Sequence, residues 1–205
     1  MIGVDEQPLA TLVDVGFALG GATLPREHRR ALAAALEAEL AWLADLPHPW
    51  LHRINVSAGS GEFALLSGHS RLKLRVPRER AGEAAALAGA RLSIESHSIA
   101  LAAPKVRELL PHATLYSHLV AAGDADEAGF LDAIGAELAA LDVSCRCICG
   151  RRQAAEAGTP SGFGLMLDGL SPAASLRILE SGLGTERRIG CGLFVPHKSA
   201  AAVGA

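Results

Sequence analysis

Apolar positions along the chain follow two spacings, one of two residues and one of three to four. Alternation marks "TLVDVGFALG" (11–20) as a strand. In "SRLKLRVP" (70–77) it puts Leu72, Leu74 and Val76 on one face and Arg71, Lys73 and Arg75 on the other. "LHRINVSA" (51–58) is expected as a further strand and "RLSIESHSIALAAP" (91–104) as a hairpin. Helical spacing fills "LPREHRRALAAALEAELAWLADL" (24–46), with Pro25 and Glu27 placed in its first turn. A shorter helix, "PRERAGEAAALAG" (77–89), begins at Pro77. The first half therefore runs β-α-β-β-α-β.

The second half repeats that order. "ATLYSHLVAA" is a strand, and "DEAGFLDAIGAELAAL" is a helix with Phe130, Ile134 and Leu138 on one stripe. The strands "VSCRCICGR" and "SGFGLMLDGL" flank a turn region, "EAGTPSG". "SPAASLRILESG" is a helix with a serine cap and an early Pro172, and "GCGLFVP" is a closing strand. The fold class expected is α+β, as two tandem ferredoxin-like modules over residues 1–108 and 109–205, joined near 104–113. The halves share element order and no obvious identity.

Composition narrows the picture. Half of the 205 residues are apolar, so the chain has material for a core. No apolar run reaches the roughly 18 residues of a membrane span, and the N-terminus has neither a basic region nor an apolar signal core. A cytoplasmic protein without membrane contact is the expectation. Only 4% of residues are aromatic, too few for a sheet face that stacks bases. Cys145, Cys147 and Cys149 share one strand face. They read as small packed side chains or, alternatively, as a soft-metal site that lacks the spacing of common zinc sites.

Net charge is −3, which argues against indiscriminate coating of nucleic acid. The distribution is uneven. Six acids and no bases lie from Asp124 to Asp142, while from Val143 onward seven bases face four acids. Within that basic third, "GLGTERRIGCGLFVPHK" (182–198) sets Arg187 and Arg188 between Gly182, Gly184, Gly190 and Gly192. Glycines admit close backbone approach, exposed N–H groups form anion-binding concavities, and guanidinium forks suit phosphates. A P-loop is excluded by spacing and by the helix that precedes the glycines. Gly182 alone also fits a helix C-cap, and the remainder a plain turn. A phosphorylated metabolite stays open as the ligand, although the nucleotide motifs and acid-rich metal clusters usual in such enzymes are missing.

"SLRILESGLGTERRIGCGLFVP", together with "LPREH" opening the first helix and the tandem element order, resembles the CRISPR-associated RAMP endoribonucleases that cut repeat RNA into guide RNA. The resemblance runs end to end, by pattern in the first half. It implies cleavage of CRISPR repeat RNA at the base of a hairpin, with no metal and no cofactor. It also implies retention of the product and association with effector-complex subunits. A noncatalytic RNA-holding subunit with the same loop is the alternative.

Metal-free cleavage uses the RNA's own 2′-hydroxyl, with histidines moving protons near neutral pH. Of eight histidines, His28 and His52 are the catalytic candidates. His28 lies on the stripe of Leu32 and Leu36, where a structural role is the competing reading, and it matches the family's position for a catalytic histidine. Its helix N-terminus should keep the imidazole neutral. His52 opens the second strand. His48, His69, His97, His112 and His118 read as loop, turn or sheet-surface residues, and Tyr116 as packing. RNA contacts are expected from the four glycines, Arg187, Arg188, Arg146 and Lys198.

Overall fold

The structure, a computed structural model, describes residues 9–57, 62–154 and 159–198. The first module is built on β1 (Leu12–Gly20), whose alternation buries Val13, Val15 and Phe17. A small ribbon, β2 (Thr23–Pro25) with β3 (Phe63–Leu65), stands beside it. The helix α1 (Arg29–Glu39) packs Leu32, Ala33 and Leu36 inward, and a 3₁₀ turn at Ala41–Asp45 follows. Then come β4 (Arg71–Pro77), the short α2 (Ala81–Ala85), β5 (Arg91–Ile94) and the long β6 (His97–Glu108). The sheet order is β4-β1-β6-β5, antiparallel throughout.

The second module contains β7 (Thr114–Ala121), α3 (Glu127–Ala140), β8 (Arg146–Gln153), β9 (Gly162–Asp168), α4 (Pro172–Ser181) and β10 (Val195–Pro196). Its order, β10-β7-β9-β8, is that of a ferredoxin-like sheet. Asp126 and Ser171 cap α3 and α4 by accepting from Gly129 N and Ala174 N. Phe130, Ile134 and Leu138 are buried as the stripe requires. The tandem ferredoxin-like class stands.

Several local expectations differ. Pro25 ends β2 and no acid lies in the first turn of α1, because the pairing of β2 with β3 holds the chain extended there. Residues 51–57 form no named strand. Leu51 bridges Leu74 and Ser57 bridges Leu65. With Leu51 counted beside β4, the first module has the ferredoxin order, and β5 is an added edge. The closing strand shrinks to two residues, since Arg187–Ile189 forms a 3₁₀ turn and glycines on either side take positive φ. Part of the expected turn 156–162 lies outside the described residues. Cys147 and Cys149 on β8, with Cys145 just before, are half-buried against the second core.

The two cores interlock. Leu119, Ile189 and Cys191 from the second half pack in the first core, while Ala10 and Leu12 pack in the second. The glycine loop carries this exchange. A Cβ on Gly190 would lie 2.0 Å from the Leu51 carbonyl oxygen, and one on Gly192 1.7 Å from that of Leu183. At Gly182 it would meet Pro49 at 2.4 Å. The backbone freedom is used for contact between protein segments.

Gly192→Ala should therefore lose roughly 3 kcal/mol or more of stability, since a left-handed φ adds to a backbone clash. Gly89→Ala, also at positive φ but with no atom near the new Cβ, should lose only about 1 kcal/mol. Urea denaturation of the two variants checks the contrast. Equal losses would contradict it.

Candidate functional site

A groove of about 600 Å³ runs between the modules. Arg29, Arg53, Arg71, Lys73 and Arg107 line it. Its two wall carboxylates are already bound, Asp14 by Arg75 and Glu108 by Arg78. Among the described residues, Arg53, Lys73 and Arg107 make no ion pair with a carboxylate. The groove is thus strongly basic inside a protein of net charge −3. Tyr116 and His197, with ring centroids 5.5 Å apart, lie at its β7–β10 side, Tyr116 on the wall.

The groove continues into a cleft of about 360 Å³ that shares Arg29, Arg53 and His118 with it. His28 lines this cleft from the N-cap of α1. Its Nδ1 lies 2.9 Å from the Pro25 carbonyl oxygen, which can only accept. Nδ1 therefore carries the proton, and Nε2 is the basic nitrogen of the neutral ring. Burial lowers the His28 pKa, Arg29 lowers it further, and the Pro25 contact opposes both. Burial is the largest cause of that neutrality.

His52 is held differently. Its Nε2 donates to Asp14 Oδ1 at 3.1 Å, on the same carboxylate that accepts from Arg75 Nε at 2.8 Å and Nη2 at 3.1 Å. Burial lowers the His52 pKa against the pull of Asp14. Burial alone would raise the Asp14 carboxyl, but His52 and Arg75 outweigh it and hold it well below the usual carboxylate range. Arg75 does not share a solvent face with Arg71 and Lys73 as the alternation suggests. It is 1% exposed, and its remaining donors reach the carbonyls of Leu179 and Phe194 in the second module. His52 thus belongs to a buried network that joins the modules.

The loop arginines are also engaged. Arg188 forks onto Glu37, and Arg187 donates to the carbonyls of Gly184 and Pro47 with Glu137 at 3.6 Å. Glu137 accepts from Gly184 N at 2.9 Å, in the place an anion would take. Arg146 pairs with Asp168, away from the groove. Lys198 is exposed just past β10.

His118 is the residue that sequence reasoning passed over. It sits in the cleft, and burial together with Arg53 and Arg29 brings its pKa down to about 4. Alternation along β7 places His118 on one face with Tyr116 but carries no signal that the first module covers that face. Among the described residues no group of three or more His, Cys, Asp or Glu is placed to hold a metal, and no helix is long and apolar enough to cross a membrane.

Residues 13–199 match the family model described as Cas6 Crispr. The chain is 34% identical over 198 residues to the CRISPR-associated endonuclease Cas6 of Myxococcus xanthus, covering 95% of this chain and 86% of that one. Among solved structures, one titled CRISPR associated protein Cas6 superimposes with a TM-score of 0.61 at 10% identity, covering 91% of this chain and all of that one. A Cas6-related protein from Pyrococcus furiosus gives 0.56 at 13% identity, over 90% of this chain and 98% of that one. At these identities the structural likeness establishes the fold.

The histidines also make stability depend on pH. His28, His48, His52 and His118 all have folded pKa values below the 6.5 of a free imidazole. The unfolded chain therefore binds more protons than the folded one as pH drops from about 6.5 toward about 4. Stability should be full above pH 6.5 and fall steadily below it, which denaturation midpoints at pH 7.5 and 5 will show. A midpoint that rises at pH 5 would contradict the assignment.

Proposed function

The chain belongs to the Cas6 family, and on that footing we propose that it is an endoribonuclease that cleaves CRISPR repeat RNA once per repeat without a divalent metal. The observation that carries this reading is the cleft at the end of a basic groove that a buried His28, its Nδ1 held by the Pro25 carbonyl, lines together with Arg29 and Arg53. RNA phosphates lie along Arg53, Lys73 and Arg107, and the scissile phosphate sits by Arg29. His28 takes the proton of the 2′-hydroxyl, whose oxygen attacks phosphorus. The products are a 2′,3′-cyclic phosphate and a 5′-hydroxyl. Guanidinium groups offset charge that builds on the phosphoryl oxygens.

His52 acts in this scheme through Asp14 and Arg75, by fixing the two walls of the groove. Arg187, Arg188 and the four glycines hold the loop that closes the gap between the modules, and Lys198 remains available to a phosphate at the groove's end. The retained product and the association with effector subunits belong to the same reading.

Cleavage should persist in EDTA. His28→Ala should slow single-turnover cleavage by roughly 100-fold or more with RNA affinity nearly unchanged, and a 2′-deoxy residue before the cut should block the reaction. Cleavage of that deoxy substrate, or loss of activity in EDTA, sinks the mechanism; full activity in His28→Ala sinks the residue.

Binding offers a separate check. Arg53→Ala, Lys73→Ala and Arg107→Ala together should weaken RNA binding and reduce the salt slope by about 2 to 3, close to one per phosphate contact. Arg188→Ala removes a charge already paired with Glu37 and should leave the slope where it is. Titrations at several salt concentrations decide between the groove and the loop as the electrostatic surface.

A further inference from the structure

His118 shares with Tyr116 the face of β7 that lines the groove. It lies at a break in the pairing of β7 with β9, between Ser117 and Val120. Such breaks re-aim side chains and recur beside active sites. The carbonyls of the two intervening residues have specific partners. Gln153 Nε2 donates to His118 O at 2.6 Å, and Gly192 N donates to Leu119 O at 2.8 Å. Leu119 is 2% exposed and packs in the first module's core. The backbone that carries His118 is therefore pinned from three sides, and its ring shares the cleft with His28, Arg29 and Arg53.

Building on the proposed nuclease reading, we infer that His118 is a second catalytic residue, the acid that protonates the leaving 5′ oxygen opposite His28. The 2′-oxygen forms a bond to phosphorus and the bond from phosphorus to O5′ breaks. The proton leaving the 2′-hydroxyl goes to Nε2 of His28, and a proton from the His118 ring goes to O5′. Exchange with water then restores both rings. In the free protein the two guanidinium groups repel a proton on His118. A phosphodiester seated between them neutralises that repulsion and adds a negative charge, so the ring is charged when RNA is in place. The arrangement loads the acid only when there is something to cut.

The test uses the full chain and two versions of the repeat RNA, one natural and one with sulfur replacing the bridging 5′ oxygen at the cut. A thiolate leaves without being protonated. On the natural RNA, His118→Ala and His118→Gln should cleave about 100-fold or more slowly, with affinity retained. On the sulfur-bridged RNA both should match the wild-type rate, while His28→Ala stays slow on both. Wild-type rates for both His118 variants on the natural RNA overturn the inference, and so does a deficit that persists in full on the sulfur-bridged RNA. A wild-type protein that leaves natural repeat RNA intact refutes the nuclease reading itself, a result distinct from either.

Discussion

The guanidinium of Arg75 is the point on which the arrangement of the two modules depends. It sits at 1% exposure and uses its donors in two directions. Nε and Nη2 grip Asp14 on β1, while Nη1 reaches the carbonyls of Leu179 near the end of α4 and Phe194 just before β10. The Leu179 carbonyl is among those that a helix end leaves without an internal partner. A planar fork can meet a carboxylate and two carbonyls at once, which a lysine ammonium cannot do with fixed geometry. Removing one partner of such a buried pair leaves an uncompensated charge, at about 3–5 kcal/mol. His52 and His48 complete the set, the first on Asp14 and the second donating to the Arg75 carbonyl. The groove and the cleft exist because this network fixes how the sheets face each other.

Most of the fold can be read in the sequence because local spacing and core burial agree. The stripe of Phe130, Ile134 and Leu138, the serine before Pro172 and the alternation of β1 and β4 all describe elements with one clearly wet side. The signal fails where a residue faces the other module. Arg75 follows Arg71 and Lys73 in a solvent-like pattern, yet the second module covers it. Residues 51–57 have strand composition, but only isolated bridges form, since backbone pairing with β4 is confined to the bonds on either side of Leu51. His118 is hidden for the same reason, because the face of β7 that it shares with Tyr116 is covered by the first module.

The glycine-rich tract shows the same limit in functional form. Its composition reads as an anion cradle, and Arg187 and Arg188 read as phosphate ligands. In the structure Glu137 already occupies the Gly184 amide, and Glu37 holds Arg188. Three glycines instead let the chain pass within contact of Pro49, Leu51 and Leu183. The uncommitted positive charge lies on β4, β6 and the segment before the β2–β3 ribbon closes, where single basic residues are scattered in sequence and gather only in space. Net charge averages over that pattern, which is why an acidic chain can hold a basic groove.

Interlocking of the cores also bears on the order in which the protein becomes itself. Ile189 and Cys191 fill the first core although they lie within the last seventeen positions of a 205-residue chain. The first module cannot complete its interior before those residues join it, and the cleft likewise draws its walls from both halves, with residues from 26 to 159. Contacts from the two ends of the folded segment thus meet in one interior, and neither module's core is complete without residues of the other.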